Sequence, residues 1–320
     1  MPEPQIEWTE EVGRDHKGQS VLDFLDAAIG PVDRRAVIRA ARAESILLNH
    51  KAVGPSATLR LGDVLELAVP PETLGRASAS SQVELLHLSD DLVIGSKPSG
   101  LPFDESRRGG GSALGLLGDL AGERVGHVVR LRPGHRLDKE TSGIVVASLG
   151  REAELALSTA FQDGTARVEY LALVRGSVEE DTGLVEVPLS KRRKADTRLL
   201  PDPDHGTPAR TAWAVEERLR GFTWLRLTPE AGRSHQVRAH MAALGLPVVC
   251  DALYRDDDRL LLSQLKIDYR GKRGHPERPV LARPALHAAR FVHGDLDLTV
   301  PVPDELEVAL SQLRRLRPLR

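Results

Sequence analysis

Two stretches of the chain concentrate side chains that can do chemistry. The first is His135-Arg136-Leu137-Asp138-Lys139-Glu140-Thr141-Ser142-Gly143, in which five charged or imidazole side chains fall within six residues. It follows the turn formers Pro133-Gly134 and leads into the apolar run Ile144-Val145-Val146-Ala147. A charge run of this kind is usually a solvated turn. Asp138 also fits another role. At the mouth of a buried strand a reacting carboxylate could sit part-buried beside Arg136. The second stretch runs from Thr228 to His240 and contains Gly232-Arg233-Ser234-His235-Gln236-Val237-Arg238. Ser234 is predicted to cap a helix over 235–244 that carries Val237, Met241 and Leu244 on one face and stops at Gly245. Arg233, just ahead of that helix, presents a planar fork suited to a carboxylate or phosphate. The plainer reading is a capped helix with ordinary surface arginines.

Other chemistries lack support. His235 and His240 lie about 140° apart around a helix, so they cannot share a metal as an i, i+4 pair does. With one cysteine, Cys250, and no His-Glu-x-x-His, no metal site is expected. Gly109-Gly110-Gly111 has neither the preceding strand nor the spacing of a dinucleotide fingerprint. No Gly-x-Ser-x-Gly elbow is present. Cys250 reads as a small buried residue, and the lone cysteine points to a reducing, cytoplasmic compartment. No apolar run approaches the ~18 residues of a membrane span, and Met1-Pro2-Glu3-Pro4 does not open a signal peptide.

The elements that must position these residues divide into two units, as 320 residues with 41% hydrophobic content suggest. Residues 1–19 form an acidic extension or edge segment. Residues 20–70 carry a short helix from Val21 that ends at Gly30-Pro31. A second helix follows Asp33, with Arg35, Arg39 and Arg42 within about 40° of one face. Strand-like runs stand at Ile46–Asn49 and Asp63–Leu67. The Pro/Ser/Ala-rich stretch 71–82 reads as a linker. Beyond it, residues 83–320 alternate strands (83–86, 91–94, 144–147, 169–174, 210–216, 222–228) with helices near 151–162 and 235–244. Without a regular βαβ rhythm, the expected class is α+β, with a mixed, largely antiparallel sheet.

The residues of the first stretch resemble the catalytic signature of RluA-type pseudouridine synthases, His-Arg-Leu-Asp-x-x-Thr-Ser-Gly. Further blocks follow in the same order. Asp90–Ile94 with Lys97-Pro98-Ser99-Gly100-Leu101 resembles the family's opening segment. Tyr170–Gly176 resembles its tyrosine segment and Gly232–His240 its arginine segment. Gly245–Val248, Asp251-x-Leu253-Tyr254 and Leu286-His287-Ala288 complete the pattern, over about 83–306. Residues 20–68 resemble an alpha-L RNA-binding domain, through Arg34, Arg35, Arg39, Ile46, Leu48-Asn49 and Gly62-Asp63-Val64. The resemblance implies isomerisation of uridine in RNA to pseudouridine, without cofactor or metal. Asp138 would be the essential nucleophile or base. Tyr170 would stack on the target base and assist at carbon 5, and Arg233 would pair with the aspartate and hold it ionised. Arg136 would enter the helix left by the flipped base. His135, Thr141, Lys97, His235 and Arg238 would contact substrate, and Arg34, Arg35, Arg39 and Arg42 would contact RNA phosphates. Three positions depart from the pattern. Val168 stands where a lysine is usual, Cys250 where glycine is usual, and Phe103-Asp104 in place of a His-Pro pair.

The implied partner is RNA, large-subunit ribosomal RNA first and transfer RNA as the alternative, bound by a cytoplasmic monomer. A non-catalytic RNA-binding assembly factor would keep the fold without needing Asp138, Tyr170 and an arginine together. The formal net charge of -2 argues only mildly against RNA. Residues 1–15 hold five acids against Arg14, so the remaining chain is net positive, with basic groups gathered at 35–42, 191–194, 272–273 and the C-terminus.

Overall fold

The computed structural model describes residues 6–30, 32, 37, 40, 41, 43–74, 83–104, 111–191, 197–230, 232–255, 259–271 and 276–319. The chain divides into two compact units, residues 1–82 and 83–320.

In the first unit the acidic segment is part of the fold rather than an appendage. Strand β1 (Trp8–Glu11) pairs antiparallel with β4 (Val64–Leu67), and the sheet continues through β2 (Ile46–Leu48) to β3 (Lys51–Ala52). Val12 is fully buried in the core, which explains why residues 8–12 join the unit instead of preceding it. Helix α1 (Val21–Ala28) is held at its start by Ser20, whose hydroxyl accepts from the Asp23 amide and donates to the Asp23 carboxylate. Its buried stripe, Val21, Phe24 and Leu25, packs with Ile46, Leu65 and Leu67. The predicted arginine contacts Arg34, Arg35, Arg39 and Arg42 lie outside the described residues.

The second unit is built on one ten-stranded sheet. Along its path stand β10 (Thr182–Glu186), β13 (Arg210–Leu219), β14 (Phe222–Glu230), β9 (Ala166–Arg175), β15 (Leu286–His293), β8 (Ser142–Leu149), β6 (Leu92–Lys97) and β5 (Glu84–Leu88). Strand β16 (Leu296–Thr299) pairs with β15, and β7 (Leu131–Pro133) with β8, while β11 (Leu189–Ser190) and β12 (Leu200–Pro201) form a separate antiparallel pair. The pairings are antiparallel except that of β15 with β8, which is parallel. The class is therefore α+β with a mixed, largely antiparallel sheet. Strand β8 is buried on both faces, as its unbroken apolar run implies. At the parallel seam Gly143 sits so close to β15 that a Cβ would lie 2.1 Å from the Ala288 carbonyl oxygen, and its φ is +117°; only glycine fits. Helices α2 (Ala113–Val125) and α3 (Gly150–Asp163) cover the sheet through Leu117, Ala121, Leu157 and Ala160. Helix α4 (Gln236–Ala243) packs on β14, the one-turn α5 (Leu262–Leu265) follows, and α6 (Asp304–Leu316) buries Leu306, Leu310 and Leu313.

Candidate active site

Asp138 stands on the loop between β7 and β8, and the backbone of that loop is tied down carbonyl by carbonyl. The Asp138 carbonyl accepts from the Thr141 amide at 3.0 Å. The Lys139 carbonyl accepts from the Gly100 amide at 2.9 Å and from Lys97 Nζ at 3.0 Å. The Glu140 carbonyl accepts from Ser99 Oγ at 2.8 Å and from Arg283 Nη1 at 3.3 Å. Two distant segments, 97–100 and 283, thus fix the loop. Lys97 is buried, its ammonium spent on the Lys139 and Pro98 carbonyls, and burial pulls its pKa down to about 8. In the structure it holds the loop, a role the sequence expectation did not include.

The carboxylate itself is gripped from α4. Arg238 Nη1 donates to Asp138 Oδ2 at 2.8 Å. The same guanidinium donates from Nε and Nη2 to both oxygens of Asp251, which is fully buried. Burial works against the charged guanidinium, but the bonds to Asp251 and Asp138 outweigh it and hold the pKa of Arg238 above its ordinary value. His235 Nε2 lies 3.3 Å from Asp138 Oδ1. The Tyr254 ring lies beside both side chains, 5.4 Å from Arg238 Cζ and edge-on to His235.

The arginine that meets Asp138 is therefore Arg238, and not Arg233 as the sequence reading had it. Helix α4 begins at Gln236, with His235 as its cap residue at φ 62°, so Ser234 does not cap it. Gln236 turns inward and its Oε1 accepts from the Arg233 amide. Arg233 is left in the exposed turn, while Arg238, two residues into the helix beyond Gln236, faces the core at 7% exposure. Arg233 still borders the cleft, together with Arg136, Asp138, Thr141, Tyr170, His235 and Arg238. Arg136 is half exposed, pairs with Asp104 at 2.6 Å and lies over the Phe103 ring. The departure Phe103-Asp104 is thus what holds this arginine.

Tyr170, on β9, is buried. Burial first, and the charge of Asp138 second, push its phenol above the ordinary tyrosine range, so it stays neutral. Its other side borders a cavity of about 180 Å³ shared with His135, Phe161 and Val168. His135 does not enter the Asp138 cleft. Its Nε2 accepts from the Val146 amide at 3.1 Å, and full burial pushes its pKa down to about 4. Thr141 is buried at the cleft's edge. Two participants had no role assigned from sequence, Asp251 and Arg283. The motif Asp251-x-Leu253-Tyr254 was a signal for the first. Cys250 occupies a left-handed backbone position, φ 63°, which accounts for glycine as the usual residue there. Among the described residues no group of three or more His, Cys, Asp or Glu side chains is placed to hold a metal ion, and no helix is long and apolar enough to cross a membrane.

Comparison with known proteins agrees with this geometry. The family described as RNA pseudouridylate synthase matches residues 91–243, a span that holds Asp138, Tyr170 and Arg238. A ribosomal large subunit pseudouridine synthase C of Escherichia coli O157:H7 is 30% identical over 322 residues, covering 95% of this chain and 95% of the relative. The chain belongs to the RNA pseudouridylate synthase family. The synthase of the same name from Haemophilus ducreyi is 27% identical over 317 residues, 95% of this chain and 94% of its own length. Among solved structures, human RNA pseudouridylate synthase domain containing 4 shares the fold, with a TM-score of 0.54 at 21% identity over 72% of this chain and 93% of the human one. Members of this family are isomerases that convert uridine in RNA to pseudouridine.

Proposed function

We propose that this pseudouridine synthase acts on uridines of large-subunit ribosomal RNA, with Asp138 as its nucleophile or base. The observation that carries the reading is the Asp138–Arg238–Asp251 chain at the edge of a cleft bordered by Tyr170. In the isomerisation the bond from the sugar C1′ to uracil N1 breaks, its electron pair leaving with the base. The base turns, C1′ bonds to C5, the C5 proton departs and N1 gains one; nothing is oxidised or reduced. Asp138 serves the sugar side of this exchange. Arg238, a cation at every working pH, holds the carboxylate in place and screens it from the second carboxylate. Tyr170, neutral and buried, offers a ring for the base to stack on, and the cavity of about 180 Å³ beside it gives a detached base room to turn. Arg136, half exposed at the cleft, is placed to fill the gap that a flipped base leaves. The names of the two bacterial relatives support large-subunit ribosomal RNA as the substrate. The first unit serves as the RNA-binding domain through Arg34, Arg35, Arg39 and Arg42. The test is to map pseudouridine in ribosomal and transfer RNA from wild-type cells, deletion cells, and deletion cells carrying Asp138→Asn. Large-subunit sites are expected to vanish in the deletion and stay absent with Asp138→Asn. Loss of transfer-RNA sites alone would move the substrate, and pseudouridine restored by Asp138→Asn would refute the role of the carboxylate.

A further inference from the structure

Three features coincide at His235. Its backbone is left-handed, φ 62° and ψ 5°, although it is not glycine and caps α4 without any side-chain hydrogen bond to that helix. A side chain in this region is disfavoured and persists where the surroundings require it. Its Nδ1 is buried and has no hydrogen-bond partner among the described residues. And its Nε2 stands 3.3 Å from Asp138 Oδ1. Asparagine or glycine would suit the backbone better, and a hydroxyl or amide would cap the helix better. Among the described residues, the one polar contact the His235 side chain makes is the one to the reacting carboxylate.

That contact completes a division of labour. Arg238 takes Oδ2 at 2.8 Å and Arg238 is itself anchored on Asp251, so one oxygen of Asp138 is held firmly. A carboxylate held by one oxygen still turns about its last bond. A donor at the other oxygen fixes its plane. At 3.3 Å the pair is a close contact without the alignment of a hydrogen bond; a proton on Nε2 faces the carboxylate and leaves Nδ1 as the lone pair that goes without a partner.

We propose that His235 is a positioning residue for the isomerisation: its Nε2–H orients Asp138 through Oδ1, and the left-handed backbone at the head of α4 is retained to aim that contact. The inference rests on the reading of Asp138 as the group that acts on the sugar. It predicts that stability and activity part company at this position. The full-length chain is assayed with large-subunit ribosomal RNA isolated from deletion cells, under single-turnover conditions, with RNA Kd and thermal midpoint measured alongside. His235→Gln keeps an N–H donor of similar reach and is expected to retain a rate within about fivefold of wild type. His235→Leu, which keeps bulk, and His235→Gly, which relieves the backbone, are each expected to lose about 10- to 100-fold in rate, the range seen when an orienting partner is removed. RNA Kd is expected to stay unchanged, and the thermal midpoint of His235→Gly to match or exceed that of His235→Leu. A wild-type rate in His235→Leu, or equal losses in His235→Gln and His235→Leu, would overturn the proposal. So would losses that track RNA Kd or the thermal midpoint, since those indicate a purely structural role. An inactive wild-type chain on this RNA would instead refute the substrate assignment.

Discussion

Replacing Arg238 with methionine removes the only cation between Asp138 and Asp251 among the described residues. Asp251 is then a fully buried carboxylate without a counter-charge. Two unit charges about 4 Å apart interact by roughly 4 kcal/mol at an effective dielectric of 20. Breaking a buried pair from one side generally costs about 3–5 kcal/mol. Both figures are large against the roughly 5–15 kcal/mol that holds a domain together. For a unit of this size the thermal midpoint should fall by roughly 10 °C. Asp251→Leu in the same molecule removes the stranded charge, so Arg238→Met with Asp251→Leu should recover most of that loss while pseudouridine formation stays abolished. Arg233→Ala, in an exposed turn, should change stability by less than about 0.5 kcal/mol and leave turnover near wild type. Urea unfolding followed by tryptophan fluorescence, with pseudouridine formed per chain as the second readout, separates these outcomes. If Arg233→Ala abolished turnover and Arg238→Met did not, the assignment of Arg238 as partner of Asp138 would be wrong.

Two further expectations concern pH and salt. Burial pushes the imidazoles of His135 and His287 down to about 4, below their unfolded value near 6.5. Their contribution is therefore complete above pH 6.5 and lost as pH falls towards 4, about 2 kcal/mol each by pH 5; equal urea midpoints at pH 7 and pH 5 would contradict this. Arg35→Ala with Arg39→Ala should weaken RNA binding and flatten the dependence of affinity on salt, because each lost phosphate contact releases fewer counterions; a filter-binding series with an unaltered slope would remove these arginines from the interface.

Much of the larger unit is legible from periodicity. The strands near 144–147, 169–174, 210–216 and 222–228 and the helices near 151–162 and 235–244 all stand where the sequence reading puts them, each observed element a few residues longer or shorter. Asp138 and Tyr170 meet at one cleft as their motifs imply. What periodicity cannot supply is the direction in which a short helix turns its faces. Arg233 and Arg238 are equally plausible on paper. The choice between them is made by Gln236, which buries its amide on the Arg210 and Glu230 carbonyls and so rotates Arg238 inward. Asp251 and Arg283 were assigned no role for a related reason. The block Asp251-x-Leu253-Tyr254 marks a position but not its partner, and a single arginine before a proline carries no pattern; each acts through a residue more than ten positions away. At the acidic start of the chain the sequence leaves an extension and an edge segment open, because the inward residues of this edge strand, Trp8 and Val12, are few among its charges.

The parallel seam between β8 and β15 also sets a schedule. Ser142 and His287, joined by a buried hydrogen bond, are 145 residues apart, and Arg283 reaches the Asp138 loop from the same late segment. During synthesis the first unit and β5 to β8 emerge long before β15 exists to complete the sheet, and chains of this kind fold from the N-terminus as they appear. Until β15 is made, the Asp138 loop is held by segment 97–100 alone, and β8, already paired with β6 and β7, lacks its parallel neighbour. The site is complete only when β15 and Arg283 have joined it, however early its carboxylate is made.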